Sequence, residues 1–377
     1  MSGATSIWSE WLVDQASARD EAGLTRTLRP RASDDDVIDL AGNDYLGLAR
    51  HPEVRAAAAA AAQEWGGGAG ASRLVTGTLA LHARLEHALA ELMQQPAALV
   101  FSTGYHANLG VVTALADRGA RIVSDEHVHA SLIDAARLSR AEIAVVRHNE
   151  VDAVRRELAT GGPRTLVLVE SIYSVLGDAA PLDELAALCE EYDALLVVDE
   201  AHGLGVHGPG LVAGLGLAGL PHVVVTATLS KALGSQGGAV LGSSELVEHL
   251  VNRARPFIFD TGLAPAAAAA ALAATELVKT RPGLPTLIRH RVGELAALLG
   301  VPAPDGAVLS VPMTTPRAAV EAAAACAGRG VRVGCFRPPS VPDGISRLRI
   351  TISAGVSEAD WEHAVGVLLA VTKEHAR

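Results

Sequence analysis

The amine of Lys231 is the group in this sequence best suited to covalent chemistry. Of the 31 basic residues only three are lysine, and two of these, Lys279 and Lys373, lie in the last turns of predicted helices, where cations are common. Lys231 instead follows an apolar strand, and no Asp or Glu occurs between Glu200 and Glu245. Because an apolar and acid-free environment lowers the pKa of an amine, we predict that Lys231 forms a Schiff base and is not a solvated surface lysine.

Polar side chains also lie at or just after the ends of the neighbouring predicted strands. Asp199 and His202 follow the apolar run LLVV, Thr228 ends the run before Lys231, and FSTGYHAN (101–108) is a small-residue turn that leads into a helix. Backbone N–H groups at such a helix start bind phosphate. Asp199 could be a helix N-cap, but beside a Schiff-base lysine it would keep a pyridine nitrogen protonated, and His202 would donate to a phenolate oxygen. Together these residues predict pyridoxal 5'-phosphate (PLP) as the cofactor.

The elements that position these residues form an α/β pattern. Seven short apolar runs alternate with helical segments, as in a parallel sheet covered on both faces. Only LSKALGSQ separates the last two runs, which is too short for a crossover helix, so we predict that the seventh strand is antiparallel. Ligands of such sheets bind outside the carboxyl ends of the strands, where the polar residues lie. The predicted strands are 97–101, 120–124, 142–147, 164–170, 194–199, 222–228 and 237–242.

The whole chain is predicted to contain three regions. Residues 1–40 form a peripheral arm with one helix in 7–24, residues 41–277 form a large cofactor-binding α/β domain, and residues 278–377 form a smaller α/β domain with a mainly antiparallel sheet. The small domain is predicted to contain strands at 306–312, 331–335 and 346–353 and helices at 285–299, 316–328 and 357–375.

Composition argues against several classes of function. The net charge of −11 and the pI of about 5.7 are unlike those of a nucleic-acid-binding surface. The cysteines, Cys189, Cys326 and Cys335, form no CxxC pair, so we predict neither disulfides nor a metal site. The N-terminal sequence lacks a signal-peptide pattern, and the alanine-rich runs 56–62 and 266–274 are too short to span a bilayer, so they predict closely packed helices. A cytoplasmic protein without a nucleic-acid or membrane partner is expected.

An ordered series of motifs extends over nearly the whole chain. In this order the motifs resemble those of the α-oxoamine synthases, a family of fold-type I PLP enzymes. The resemblance implies a fold-type I PLP-dependent transferase, with a seven-stranded mostly parallel sheet, one antiparallel strand, and a smaller C-terminal α/β domain. The motifs are NDYLGL (43–48), GGGAGASRLVTGT (66–78), STGYHAN (102–108), HASL (129–132), VESIYSVLGDAAPL (169–182), DEAHGLGVHG (199–208), TATLSKALGSQGG (226–238), RPFIFDTGLAP (255–265) and LRITISAG (348–355).

The same resemblance implies roles for individual residues. His129, in HASL, would stack on the pyridine ring, and a capping histidine is the less favoured alternative. Arg349 would bind the amino-acid carboxylate as a two-pronged donor, with Arg347 as the alternative. Thr261 would reach the phosphate of the other subunit, which implies a homodimer with its active sites at the interface. The family pattern further places Gly104, Tyr105, Thr228 and Ser230 at the phosphate, Ser174 and Glu170 near the cofactor, and Asn43 at the substrate.

The resemblance is strongest to members that act in biotin biosynthesis. It implies that L-alanine condenses with pimeloyl-CoA or pimeloyl-acyl-carrier protein, with loss of CO₂, and that Lys231, His129 and Asp199 form the catalytic set, with Lys231 as general base. Members that join glycine to a shorter acyl-CoA, such as 2-amino-3-ketobutyrate CoA ligases and 5-aminolevulinate synthases, share nearly all of these residues. An aminotransferase of the same fold fits less well, because of the HASL and LRIT motifs. The intact catalytic set argues against a non-catalytic paralogue.

Overall fold

The computed structural model describes residues 6–21, 24–26, 28, 30–162, 164–338, 341 and 343–375. The chain divides into two units, one that ends at Val37 and one that begins at Ile38. The first unit contains the predicted N-terminal helix, α1 (Ile7–Glu21), none of whose side chains is buried. None of the helices in the described parts of the chain is both long and apolar enough to cross a membrane.

The secondary structure alternates between strands and helices from Ile38 onward. The strands are β1 (Ile38–Leu40), β2 (Ala97–Phe101), β3 (Arg121–Asp125), β4 (Glu142–Val146), β5 (Thr165–Glu170), β6 (Leu195–Asp199), β7 (Val223–Thr228), β8 (Gly238–Gly242), β9 (Val308–Pro312), β10 (Val331–Phe336) and β11 (Arg347–Thr351). After α1 the helices are α2 (Pro52–Trp65), α3 (Ala80–Leu92), α4 (Gly104–Leu115), α5 (Ala130–Ser139), α6 (Val151–Ala159), α7 (Leu182–Glu191), α8 (Leu211–Gly214), α9 (Ser244–Arg253), α10 (Arg255–Ile258), α11 (Pro265–Thr280), α12 (Gly283–Leu299), α13 (Pro316–Gly328) and α14 (Glu358–His375), with a short 3₁₀ helix at Leu48–Arg50.

A seven-stranded sheet contains all seven strands predicted for the cofactor-binding region. Its order is β2-β8-β7-β6-β5-β3-β4. The strands from β7 to β4 pair in parallel, whereas β8 is antiparallel to both β7 and β2. The prediction of one antiparallel strand after the short LSKALGSQ connection is therefore confirmed.

Both faces of this sheet are buried, which explains why its strands are continuously apolar. In β2, Leu99 and Phe101 pack in one cluster with α4 and α5, whereas Ala98 and Val100 belong to a second cluster that includes α3, α7 and α11. The two alanine-rich runs form α2 and α11, which pack against each other. This contact confirms the prediction of closely packed helices, because small side chains let helix backbones approach.

A second, four-stranded sheet forms mainly from the C-terminal part of the chain, in the order β1-β10-β11-β9. The predicted strands appear as β9, β10 and β11, which pair antiparallel as expected. The strand β1 was not predicted, and its three residues pair in parallel with Val331–Val333. A strand this short carries too little periodicity to be recognised. The division into a large and a small domain stays a prediction.

Parallel pairing brings the carboxyl ends of β5, β6 and β7 to one edge of the large sheet. Glu170, at the end of β5, is in register with Asp199, at the end of β6. The first turn of α4 lies at the same edge, where it packs on β8. A Cβ atom on Gly238 would lie 2.5 Å from the backbone of Gly104, so this contact requires glycine.

Candidate active site

A cavity of about 250 Å³ opens at this edge of the large sheet. The ends of β5, β6 and β7 and the first turn of α4 all contribute residues to its lining. The cavity brings together nine of the residues predicted from the sequence. They are Gly104, Tyr105, His129, Glu170, Asp199, His202, Thr228, Ser230 and Lys231.

Lys231 lies in the loop after β7, and its side chain lines the cavity while protein surrounds its amine. Burial lowers the pKa of Lys231, in the direction predicted from the sequence, whereas the carboxylates of Asp199 and Glu170 raise it and oppose the effect. The stretch of sequence without acids is therefore not acid-free in space. Carboxylates from two neighbouring strands approach the amine, which sequence spacing alone could not indicate.

His202 is a buried link between Lys231 and Tyr45. Its Nε2 lies 2.8 Å from Nζ of Lys231, and its Nδ1 lies 2.5 Å from the hydroxyl of Tyr45. Burial lowers the pKa of His202 well below its ordinary value, and the charges of Lys231 and Arg349 lower it further. A neutral imidazole has one donor and one acceptor nitrogen, so His202 contacts both partners without adding a charge.

Asp199 is held in place by Asn108, a residue that the sequence analysis missed. Asn108 Nδ2 donates to Oδ2 of Asp199 at 2.7 Å and to Ser131 Oγ at 2.8 Å, while the Thr226 hydroxyl donates to Asn108 Oδ1 at 2.6 Å. The backbone N–H of Ala201 donates to Asp199 Oδ1 at 2.9 Å. Both carboxylate oxygens therefore have donors. Asn108 ends the STGYHAN motif, which is the sequence signal that could have identified it.

Glu170 is a second buried carboxyl group in the cavity wall. Its Oε2 accepts the backbone N–H of Ser174 at 3.2 Å, whereas its buried Oε1 has no partner among the described residues. Burial raises the pKa of Glu170 well above its ordinary value, and the carboxylate of Asp199 raises it further. An unpartnered buried oxygen costs free energy unless something satisfies it, so this wall favours a polar ligand.

The end of β7 and the start of α4 form the hydroxyl-rich end of the cavity. Thr228 Oγ1 and Ser230 Oγ lie 2.7 Å apart, and both residues line the cavity. A Cβ atom on Gly104 would lie 3.0 Å from Thr228 Cβ, so glycine allows the helix to begin this close to β7. Backbone N–H groups at a helix start together with two hydroxyl groups suit a phosphate.

His129 lines the cavity and also caps a helix. It is the N-cap of α5, and its Nδ1 accepts the backbone N–H of Ser131 at 3.2 Å. This capping role, the less favoured alternative from the sequence, is therefore present. The surrounding protein partly desolvates the imidazole and so lowers the pKa of His129, whereas the carboxylate of Asp199 opposes this effect. Its expected stacking on a pyridine ring stays a prediction.

Arg349 is fixed by residues from two other segments. Its Nε donates to the carbonyl of Ser174 at 2.8 Å, and its Nη1 donates to Oδ1 of Asn43 at 3.2 Å. The hydroxyl of Tyr45 also donates to Asn43 Oδ1 at 3.2 Å. Arg349 is therefore joined through Asn43 and Tyr45 to the contacts that end at Lys231. Tyr45 was not predicted, although it belongs to the NDYLGL motif.

Two further residues named from the sequence have other surroundings. Arg347 is buried two positions before Arg349 on β11, and its Nη2 donates to Oδ2 of Asp343 at 2.5 Å. Thr261 is exposed, and it forms an isolated bridge with Ser72 rather than lining the cavity of its own chain. Its expected contact with the phosphate of a second subunit stays a prediction.

Comparison with protein families and curated proteins agrees with these features. A family model described as aminotransferase class I and II matches residues 35–368. The 8-amino-7-oxononanoate synthase of Mycobacterium bovis (strain BCG / Pasteur 1173P2) is 52% identical over 362 residues, which cover 95% of this chain and 94% of that protein. The protein of the same name from Mycolicibacterium smegmatis is 52% identical over 363 residues, with 95% of each chain covered.

Solved structures show the same fold. A structure of serine palmitoyltransferase with PLP is similar to this chain with a TM-score of 0.90 and 30% sequence identity. The similarity covers 98% of this chain and 99% of the solved one. The seven-stranded sheet and its single antiparallel strand are thus part of a shared fold.

Proposed function

Because the chain belongs to the aminotransferase class I and II family, and within it to the 8-amino-7-oxononanoate synthases, we propose that it makes 8-amino-7-oxononanoate for biotin biosynthesis. The substrates are L-alanine and pimeloyl-CoA or pimeloyl-acyl-carrier protein, and the by-products are CO₂ and CoA or the free carrier protein. The observation that carries this proposal is the 52% identity to proteins of that name over 95% of the chain.

The cofactor is PLP, and the residues of the cavity fit it. We propose that Lys231 forms the covalent bond with the cofactor, because burial lowers the pKa of its amine. We propose that Asp199 contacts the ring nitrogen, because two hydrogen-bond donors fix the orientation of its carboxylate. His202, whose Nε2 lies 2.8 Å from Nζ of Lys231, would contact the phenolate oxygen of the cofactor. When bound, PLP supplies an electron sink for negative charge at the α-carbon of the amino acid. We assign the phosphate to the first turn of α4 and the nearby hydroxyl groups, namely to Gly104, Tyr105, Thr228 and Ser230.

The remaining residues orient the substrate and move its proton. Lys231 would remove the α-proton, because a lowered pKa increases the fraction of free amine near neutral pH. Arg349 would bind the carboxylate of the amino acid, and its contacts with Ser174 and Asn43 hold the guanidinium in place before the substrate arrives. His129 would cover one face of the cofactor.

We further propose a homodimer with the active sites at the interface. Thr261 lies beside Ser72, and these two segments expose the apolar side chains Leu74 (53%), Val75 (74%) and Phe259 (68%). Clustered exposed apolar side chains are typical of protein interfaces. Thr261 would then reach the phosphate bound by the partner. A cytoplasmic location, without nucleic-acid or membrane partners, stays a prediction.

A CoA-release assay tests the proposed reaction. L-Alanine, glycine and L-serine are each combined with pimeloyl-, succinyl- and acetyl-CoA, and the pair of L-alanine and pimeloyl-CoA is expected to give the highest kcat/KM. Lys231→Ala should abolish release, whereas Lys279→Ala, which changes a surface lysine paired with Glu91, should not. A preference for glycine with a short acyl-CoA would contradict the proposed substrates.

A further inference from the structure

A charged histidine lies at the same edge of the large sheet and has no role in the chemistry described above. His148 follows β4, and its ring lies between two carboxylates. Its Nδ1 is 3.1 Å from Oδ1 of Asp125, and its Nε2 is 2.7 Å from Oδ2 of Asp178. Because both ring nitrogens face carboxylate oxygens, both donate, and the ring is an imidazolium ion.

The groups around His148 keep it charged. Burial by itself would lower the pKa of His148, but its hydrogen bonds to the two carboxylates overcome this effect and raise the pKa to about 9. His127 stacks on the ring at a centroid distance of 3.9 Å, and Tyr173 packs edge-to-face at 4.3 Å. Burial and the charge of His148 lower the pKa of His127, so the stacked pair carries one positive charge. Glu126 accepts the backbone N–H of His148 at 3.0 Å.

One of the two carboxylates fixes the turn that presents His129. Asp125 ends β3, and its Oδ1 accepts the backbone N–H of His127 at 2.7 Å. His129 follows two residues later and caps α5. Because the turn is this short, a displacement of Asp125 would be transmitted to the ring of His129.

The other carboxylate fixes the loop that supports Arg349. Asp178 lies in the loop between β5 and α7, and in the same loop the carbonyl of Ser174 accepts the Nε–H of Arg349. Asn149 reinforces the attachment, because its Nδ2 donates to Oδ2 of Asp178 at 3.0 Å. His148 and Asn149 therefore connect two segments. One is the loop that contains Ser174, the hydrogen-bond partner of Arg349, and the other is the turn that leads from Asp125 to His129.

We propose that the His148 imidazolium is a positioning residue for the amino-acid substrate, and that its two ion pairs hold His129 and Arg349 at the spacing which that substrate requires. The inference rests on the proposed function in one respect, since it takes Arg349 as the group that binds the carboxylate.

His148→Gln in the PLP-loaded protein tests this role. The variant keeps a polar side chain but loses the positive charge and with it both ion pairs. We expect the dissociation constant of L-alanine, measured from the change in cofactor absorbance, and the KM for L-alanine to rise about tenfold, a typical coupling effect of a residue that does not contact the ligand. The change in kcat should be less than about threefold. The matched control is His249→Gln, at an exposed histidine that contacts the carbonyl of Ala114.

A pH series distinguishes positioning from a general loss of stability. The folded-state pKa of His148 lies above the ordinary value, so its positive charge is fully present below the ordinary histidine pKa of 6.5 and is lost as pH rises through about 9. The ratio of the alanine dissociation constants of variant and wild type, from which the ionisation of alanine itself cancels, should therefore fall towards one above pH 9. If His148→Gln does not fold, Asp178→Asn replaces it, with an expected effect of about threefold.

Two results would overturn the role of His148. One is an alanine affinity equal to that of His249→Gln, and the other is a fall in kcat with unchanged alanine affinity. Failure of the proposed function would give a different result from failure of the His148 role. The wild type would then release no CoA from L-alanine and pimeloyl-CoA, while the difference in alanine affinity between wild type and His148→Gln would remain measurable.

Discussion

Lys231 lies between groups that have opposite effects on its proton. Burial lowers its pKa, whereas the carboxylates of Asp199 and Glu170 raise it. His202 contacts the amine without adding a charge, because burial keeps this histidine neutral. The net lowering favours the free amine that both covalent bonding and proton removal require. The pKa of this amine therefore depends on side chains from three neighbouring strands and their loops.

Substitution of Arg349 by lysine tests the assignment of the carboxylate-binding residue. A lysine cannot reproduce the hydrogen bonds of the guanidinium to Ser174 and Asn43, nor a two-pronged contact with a carboxylate. We expect the KM for L-alanine to rise roughly 10- to 100-fold, in line with about 1.5–3 kcal/mol for a charge-assisted hydrogen bond. Arg347→Lys is the control, with a change below about threefold, and steady-state kinetics measure both. A larger rise in the KM for L-alanine with Arg347→Lys than with Arg349→Lys would assign carboxylate binding to Arg347.

Residues at strand ends were predictable, whereas their partners were not. Lys231 and Asp199 follow apolar strands, so their position at one edge of the sheet follows from the parallel topology. Asn108 and Tyr45 contact residues 91 and 157 positions away in sequence, and the motifs that contain them do not indicate which distant residues they contact. Arg73, in the GGGAGASRLVTGT motif, is a further example, because its Nη2 lies 2.9 Å from Oε1 of Glu86 and no sequence pattern indicates this pair.

The contact between α4 and β8 is the element-scale feature that positions the helix start to which we assign the phosphate. Gly238→Ala would place a Cβ atom 2.5 Å from backbone atoms of Gly104, and neither backbone can move without displacing the helix start. We expect the dissociation constant of PLP to rise at least tenfold and the free energy of unfolding to fall by about 1–3 kcal/mol. Cofactor titration and chemical denaturation measure the two effects.

Gly242→Ala, in the same strand, is the matched control. There a Cβ atom would meet Cδ2 of Leu246 at 2.8 Å, and this flexible side-chain end can move away. We expect PLP affinity to remain within about twofold of wild type and the loss of stability to be below about 1 kcal/mol, because only the end of the half-buried Leu246 side chain has to move. Equal effects of the two substitutions would show that the helix–strand contact does not shape the phosphate site.

At the scale of elements, the large sheet was readable from the sequence because its strands are buried on both faces and appear as continuous apolar runs. The antiparallel strand followed from the length of a single connection. The strand β1 could not be recognised, since Ile38–Leu40 has only three residues and its partner Val331–Val333 is distant in the sequence.

At the scale of the whole molecule, complementation between two inactive subunits tests the proposed dimer. Lys231→Ala removes the covalent amine, and Thr261→Asp places a negative charge where the partner's phosphate is expected. Each homodimer should lack activity. In a heterodimer purified through two different tags, one of the two sites combines an intact Lys231 with an intact Thr261, so we expect about half of the wild-type activity per dimer.

The control for this experiment is a heterodimer in which both substitutions are in the same subunit. Its two sites would each lack one of the two groups, and it should be inactive. The test heterodimer carries Lys231→Ala in one subunit and Thr261→Asp in the other. If it is inactive although size-exclusion chromatography shows an intact dimer, the result would contradict an interface in which Thr261 contacts the phosphate of the partner.

The most direct test of the central claim is the stoichiometry of CO₂ and CoA release from L-alanine labelled with ¹³C in its carboxyl group. Decarboxylative condensation with pimeloyl-CoA removes that carboxyl group once for each acyl transfer. The proposed reaction predicts one ¹³CO₂ per CoA released and a product without the label, with neither product formed by Lys231→Ala. Release of CoA without ¹³CO₂, or retention of the label in the product, would contradict it.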